Sequence, residues 1–147
     1  MKTTHTTTDE RSRRDREFVE MFTDVLHEFI RNGIKAPFTG AVRFTLLNGK
    51  PHYHVSYERA YRIVCRILAG RTLQLVNPVL IAMWHEIAGK VREIIGDGQC
   101  SINRALEIVL LNCRASRFFL TEKYARRLVY HLRTRRANAI KSRCGKK

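Results

Sequence analysis

Apolar residues return at helical spacing along most of the chain, and glycine, proline and Ser/Thr/Asn caps cut the returns into segments. Phe18, Phe22, Val25, Leu26 and Phe29 predict a first helix over about 15–32, with Gly33 as its stop. Asn77 caps a later helix whose first residue is Pro78 and whose inner face is Leu80, Trp84, Ile87, Ala88, Val91, Ile94 and Ile95. Gly96, Asp97 and Gly98 end it. Ser101 caps the next, with Ile102, Ala105, Leu106, Val109 and Leu110 as its stripe. The last stripe is Leu120, Tyr124, Ala125, Leu128, Val129 and Leu132, on a helix entered at Thr121. Lys123, Arg126, Arg127, Tyr130 and Arg133 fall on its opposite side, so this helix has an apolar back and a basic front.

The last helix has an earlier copy. Residues 53–67 align with residues 118–132 without a gap, Tyr53 falling on Phe118. Ala60 matches Ala125, Arg62 matches Arg127 and Val64 matches Val129. Ser56, the counterpart of Thr121, is the predicted cap of this earlier helix, and Gly70 its end. The repeat also decides residues 36–48. Their Val, Phe and Thr content suits a strand, but Leu46-Leu47-Asn48 matches Leu110-Leu111-Asn112 of the firmly helical segment, so both are read as helices. Each unit is therefore helix, helix, turn, helix. The predicted fold is all-α, with two tandem three-helix units packed together. Residues 15–70 are unit one and residues 77–134 unit two. Residues 1–14 are a disordered polar arm and residues 135–147 a basic tail. The linker between the units lacks Gly and Ser, and duplication with pseudo-symmetric packing is expected.

Charge turns this helical pattern toward function. Lys and Arg number 28 against 13 Asp and Glu, a formal net charge of +15 in 147 residues, with 44% hydrophobic residues to build a core. Such an excess points to a polyanionic partner, nucleic acid first and an anionic membrane surface second. A solubilising charge with no polyanionic partner is the bland alternative. Lys123, Arg126, Arg127, Tyr130 and Arg133 are the candidate contacts, extended by Arg135 and Arg136 of the acid-free tail. Arg62 and Arg66 are the matching candidates in unit one. Their face also carries Glu58, Tyr61 and Cys65, so it reads as nearly neutral: a weaker half-site, a scaffold, or a surface for a protein partner or self-association. A competing reading places Arg62 and Arg127 in structural ion pairs with acids such as Glu58 or Glu122.

The run Leu120-Thr121, Ala125-Arg126-Arg127-Leu128-Val129 resembles the recognition-helix region of the helix-turn-helix superfamily: a cap, a small residue facing a partner helix, then an apolar pair. The resemblance covers about 101–133 and, more weakly, 36–68. It implies duplex DNA as partner, with one helix crossing the backbone and the next in the major groove. The turn 113–119 is longer than the three or four residues usual there. The repeated pattern, Tyr53-His54-Val55-Ser56 with Ala60, Arg62 and Val64, is also similar to one in small uncharacterised basic bacterial proteins, which implies no activity. The expected function is nucleic-acid binding, with double-stranded DNA favoured over RNA because the layout resembles helix-turn-helix, and no sheet of the stacking aromatics that single-strand RNA readers use is evident. An RNA-binding role, or a protein-interaction module without nucleic acid, is the alternative.

No catalytic residue is singled out. Paired carboxylates, a nucleophile elbow and a phosphate-cradling glycine loop are missing, and His85-Glu86 lacks the second histidine of a zinc-protease helix. The four cysteines form no C-x-x-C pair, and His52 and His54 lack a third ligand in sequence, so no metal or cofactor is expected. The first 16 residues lack a signal-like apolar core, and no run approaches the ~20 apolar residues of a membrane span. The expectation is a cytoplasmic, reducing compartment with free thiols and no membrane partner.

Overall fold

Each sequence cap appears as a physical cap in the computed structural model, which describes residues 3–96, 98 and 100–130, with side chains from residue 9 onward. The helices are α1 (Thr3–Arg31), α2 (Pro37–Asn48), α3 (Tyr57–Leu68), α4 (Pro78–Ile95) and α5 (Ile102–Asn112), followed by helical residues 122–130 (α6). Ser56 Oγ accepts from the Arg59 amide at 3.3 Å and Asn77 Oδ1 from the Val79 amide at 3.0 Å. Ser101 Oγ accepts from the Arg104 amide at 3.3 Å and Thr121 Oγ1 from the Tyr124 amide at 3.2 Å. Each bond satisfies a backbone donor that a helix start leaves open. Gly33 and Gly70 take left-handed φ angles of 67° and 74°, where a Cβ would be strained, and stop α1 and α3. No strand is present among the described residues, and the fold is all-α.

The segment 36–48, strand-like by composition, is helical because one face is buried. Ala41, Val42, Thr45 and Leu46 lie inside, and the Thr45 hydroxyl donates back to the Ala41 carbonyl at 2.7 Å, so no polar atom there is orphaned. Residues 3–14 correct the expectation of a disordered arm: they extend α1 by more than three turns. The C-terminal end of this stretch is tethered by long-range polar contacts. Asp15 accepts from the Tyr124 hydroxyl at 2.7 Å, and the Arg14 guanidinium lies 5.2 Å from the Tyr124 ring centre. Hydrophobic periodicity does not register such tethers.

The buried side chains form two cores, and each core mixes helices from the first and second halves of the chain. Ala60, Val64 and Ile67 of α3 pack with Trp84, Ile87, Ala88 and Val91 of α4 and with Ala105, Leu106 and Val109 of α5. Phe18 and Phe22 of α1 and Ala41, Val42 and Leu46 of α2 pack with Ala125 and Val129 of α6. Phe118, just before α6, meets Phe18 edge-on at 5.1 Å. Helix α3 packs on α4 and α5 and not on α1 or α2. Helix α3 thus completes the core of α4 and α5, and α6 that of α1 and α2.

The exchange runs through the connectors 49–56 and 113–121, which cross as extended chain. His52 and Arg114 form an isolated antiparallel bridge. The Ala115 amide donates to the Pro51 carbonyl at 2.8 Å, and the Phe118 amide to the Leu46 carbonyl at 3.0 Å. Two carboxylates clamp the crossing. Glu17 of α1 accepts the His52 amide at 3.0 Å, and Glu86 of α4 accepts the Ser116 amide at 2.9 Å. Glu86 also accepts from the Tyr53 hydroxyl at 3.1 Å, and Lys90 donates to the Arg114 carbonyl. Gly49 sits at the tightest point. A Cβ there would lie 2.5 Å from the Phe118 ring and 2.6 Å from the Thr45 carbonyl oxygen.

Because each core needs a helix from the other half of the chain, residues 1–76 and 77–147 made as separate chains are expected to be largely unfolded alone. Mixed at equal concentration, they are expected to regain the far-UV circular dichroism of the intact chain. Two fragments that each fold alone would contradict the exchange. Gly49→Val is expected to destabilise by roughly 1–3 kcal/mol, as overpacking does. Its φ of −67° suits any L-residue, so the loss is steric alone. Gly89→Ala, with nothing within 4 Å of its Cβ in the interior of α4, is expected to be neutral or stabilising. Urea denaturation of both variants measures the contrast.

Candidate nucleic-acid interface

Helix α6 presents the face that its sequence pattern requires. Ala125 and Val129 are fully buried, Tyr124 and Leu128 are half-buried, and Lys123, Arg126, Arg127 and Tyr130 are exposed. The phase is fixed in the first turn, where Thr121 caps the helix and the Tyr124 hydroxyl is held by Asp15. Burial, with Asp15 beside it, pushes the Tyr124 phenol above its ordinary range, so it stays a neutral donor to that carboxylate. Arg133, Arg135 and Arg136, with the tail 135–147, lie outside the described residues.

The partner of α6 across the surface is α2. Phe38, Thr39 and Val42 of α2 form a groove with Lys123, Arg126, Arg127 and Tyr130. Glu122 spans the two helices. Its Oε1 accepts from Arg43 Nε at 2.9 Å and from Arg126 Nη2 at 2.6 Å. The Arg43 hydrogen bond, with Arg126 adding to it, holds this carboxyl below its ordinary range. One negative charge thus orients two guanidiniums and leaves the trio net positive. Lys123 and Arg127 have no ion-pair partner among the described residues. The reading in which Arg127 forms a structural ion pair with Glu122 is not met, since Arg126 and Arg43 take that carboxylate.

On α3, Arg62 and Arg66 are exposed, and neither has an ion-pair partner among the described residues. The near-neutral reading of this face of unit one leaves out Arg59. Arg62 and Arg66 turn toward Arg59 and the linker 73–75, and the groove they line contains no carboxylate. Glu58 stands outside it. Tyr57 and Tyr61 stack at 6.3 Å on another part of α3. Arg43 and Arg59 are thus two candidate contacts the sequence reading passed over. Arg59 had a readable signal, since 59, 62 and 66 share one helical stripe. Arg43 had none, because its role depends on α2 meeting α6.

His52 and His54, the candidate metal pair, are both engaged by Glu17. His54 Nε2 lies 2.7 Å and His52 Nδ1 3.4 Å from Glu17 Oε2. Burial alone would raise the Glu17 carboxyl, but the hydrogen bonds from the two histidines and the His52 amide outweigh it and hold the group below its ordinary range. Among the described residues no group of three His, Cys, Asp or Glu side chains is placed to hold a metal ion. No helix among them is long and apolar enough to cross a membrane. Comparison of the chain with protein-family models, with curated proteins and with solved structures finds no match.

A carboxyl lowered by folding stabilises the fold above its ordinary range and loses that contribution as the pH falls through it. The Tm difference between the native chain and Glu17→Gln is therefore expected to be largest above about pH 5 and to shrink below about pH 4.3, the unperturbed glutamate value. Thermal melts at stepped pH measure it, and a difference that grows on acidification would contradict the assignment.

Proposed function

We propose that the protein binds nucleic acid, duplex DNA in preference to RNA, through the outer face of α6 and the adjoining edge of α2. The carrying observation is the exposed row of Lys123, Arg126 and Arg127, set over the buried back of Ala125 and Val129. Rigid backing matters, because a cation held in place by packing loses little freedom when it meets a phosphate. Arginine adds a fork that contacts phosphate or the guanine edge bidentately. The net charge of +15 supplies the long-range attraction.

The helix-turn-helix resemblance takes a particular form in this reading. Helix α6 is the candidate recognition helix, and α2 of the other repeat is the helix braced against it, tied by Arg43, Glu122 and Arg126. The long turn that departs from the superfamily is the connector that crosses. Tyr130 stands at the end of the described face and is suited to donate to phosphate. The tail, with Arg135 and Arg136, adds charge in the same reading.

Fluorescence anisotropy with a labelled random duplex and a labelled single-stranded RNA tests the proposal. Duplex binding is expected to be the tighter and to fall steeply with salt. Arg126→Ala with Arg127→Ala is expected to weaken duplex binding about tenfold or more at low salt. The slope of log K against log salt should fall by about 2 units. The circular dichroism should be unchanged, because both side chains are exposed. Unaltered affinity in a folded double variant would contradict the site.

A further inference from the structure

We infer that α3 carries a second, separate phosphate-binding surface, so that one molecule holds two duplex segments at once; this rests on the duplex-binding reading of α6. Arg59, Arg62 and Arg66 line one groove, and Leu73 and Leu75 of the linker form its other wall. All three arginines are exposed. Arg59 lies over the Trp84 ring, its guanidinium carbon 6.0 Å from the centroid, which steadies it without neutralising it. Glu10 of α1 is near enough to Arg59 to feel its charge, so Arg62 and Arg66 are the clearer phosphate donors. A shallow trough lined by three arginines and no carboxylate matches the closely spaced negative charge of a phosphodiester backbone, with Leu73 and Leu75 serving only as its rim.

Separateness follows from the exchange. The α3 groove belongs to the core shared by α3, α4 and α5, whereas the α6 face belongs to the core of α1, α2 and α6. The two grooves share no lining residue. Arg62 aligns with Arg127 when residues 53–67 are laid on 118–132, and each core carries one of these two basic helices. Two sites on one folded chain act as a bivalent clamp, and bringing the second segment in is then favoured by effective concentration.

The experiment is a capture assay. A biotinylated duplex of about one helical turn is fixed on beads, and a second labelled duplex of the same length is captured through the full-length protein. The native chain is expected to capture the second duplex. Arg62→Ala with Arg66→Ala is expected to bind the fixed duplex within about threefold of the native chain while capture falls about tenfold or more. Arg126→Ala with Arg127→Ala is expected to lose capture as well. Native-level capture by the Arg62/Arg66 variant would overturn the inference, since bridging would then come from self-association or from the tail. A native chain that binds the fixed duplex but captures nothing would also overturn it. So would equal loss of binding and capture in the Arg62/Arg66 variant, which would place both grooves on one duplex. These outcomes leave the α6 reading intact, whereas a native chain that binds no duplex in either step would overturn both.

Discussion

The crossing of the connectors 49–56 and 113–121 is the constraint on which the rest of the structure depends. Two stretches of extended backbone pass at hydrogen-bonding distance, with Ala115 donating to Pro51 and Phe118 to Leu46. Such a crossing leaves polar groups to satisfy in a half-buried place. Glu17 and Glu86 each take up an amide, and Lys90 takes up the Arg114 carbonyl. Gly49 provides the room for Phe118, which passes on to meet Phe18. Once the chain has crossed, α3 and α6 have no route back to their own repeats. Each closes the other core, and the two groups become one structural unit.

The crossing also determines what the surface can present. Helix α6 is gripped by α1 through Tyr124 and Asp15 and by α2 through Glu122 and Arg43. Its remaining side is the one rich in Lys and Arg. Helix α3 is gripped by α4 and α5 and turns Arg62 and Arg66 outward beside Arg59. Nucleic-acid affinity dominated by phosphate contacts needs fixed cations more than it needs a pocket, and a small helical fold with +15 net charge suits that requirement.

Local features were legible in the sequence wherever the cause is local. Ser56, Asn77, Ser101 and Thr121 cap their helices because a side-chain oxygen reaches an amide two or three residues away. The repeat resolved α2 against its own strand-like composition. The exchange was illegible for a physical reason: Ala60 and Val64 offer the same pattern of buried positions as Ala125 and Val129, so the pattern does not say which core each helix joins. Pattern identifies a face and cannot name its partner. The helical stretch 3–14 carries no apolar periodicity to read, and the contacts of Arg14 and Asp15 at its end reach Tyr124, more than a hundred residues away. On α3 the stripe of Arg59, Arg62 and Arg66 is legible in the sequence, whereas the groove it lines is not, because Leu73 and Leu75 of its other wall come from the linker.

The central claim is that the crossing holds α6 against α2 with its basic face ready for a duplex. The most direct measurement is a backbone amide nitrogen–proton NMR titration of the isotope-labelled full-length chain with a short duplex. The expected result is that shifts concentrate at Lys123, Arg126, Arg127 and Tyr130 and at the neighbouring edge of α2 around Thr39 and Arg43. The buried residues Ala125, Val129 and Val42 should move little. Shifts confined to residues 131–147, with α6 and α2 unmoved, would contradict it, because the duplex would then be held by the tail and the presented helix face would have no part in binding.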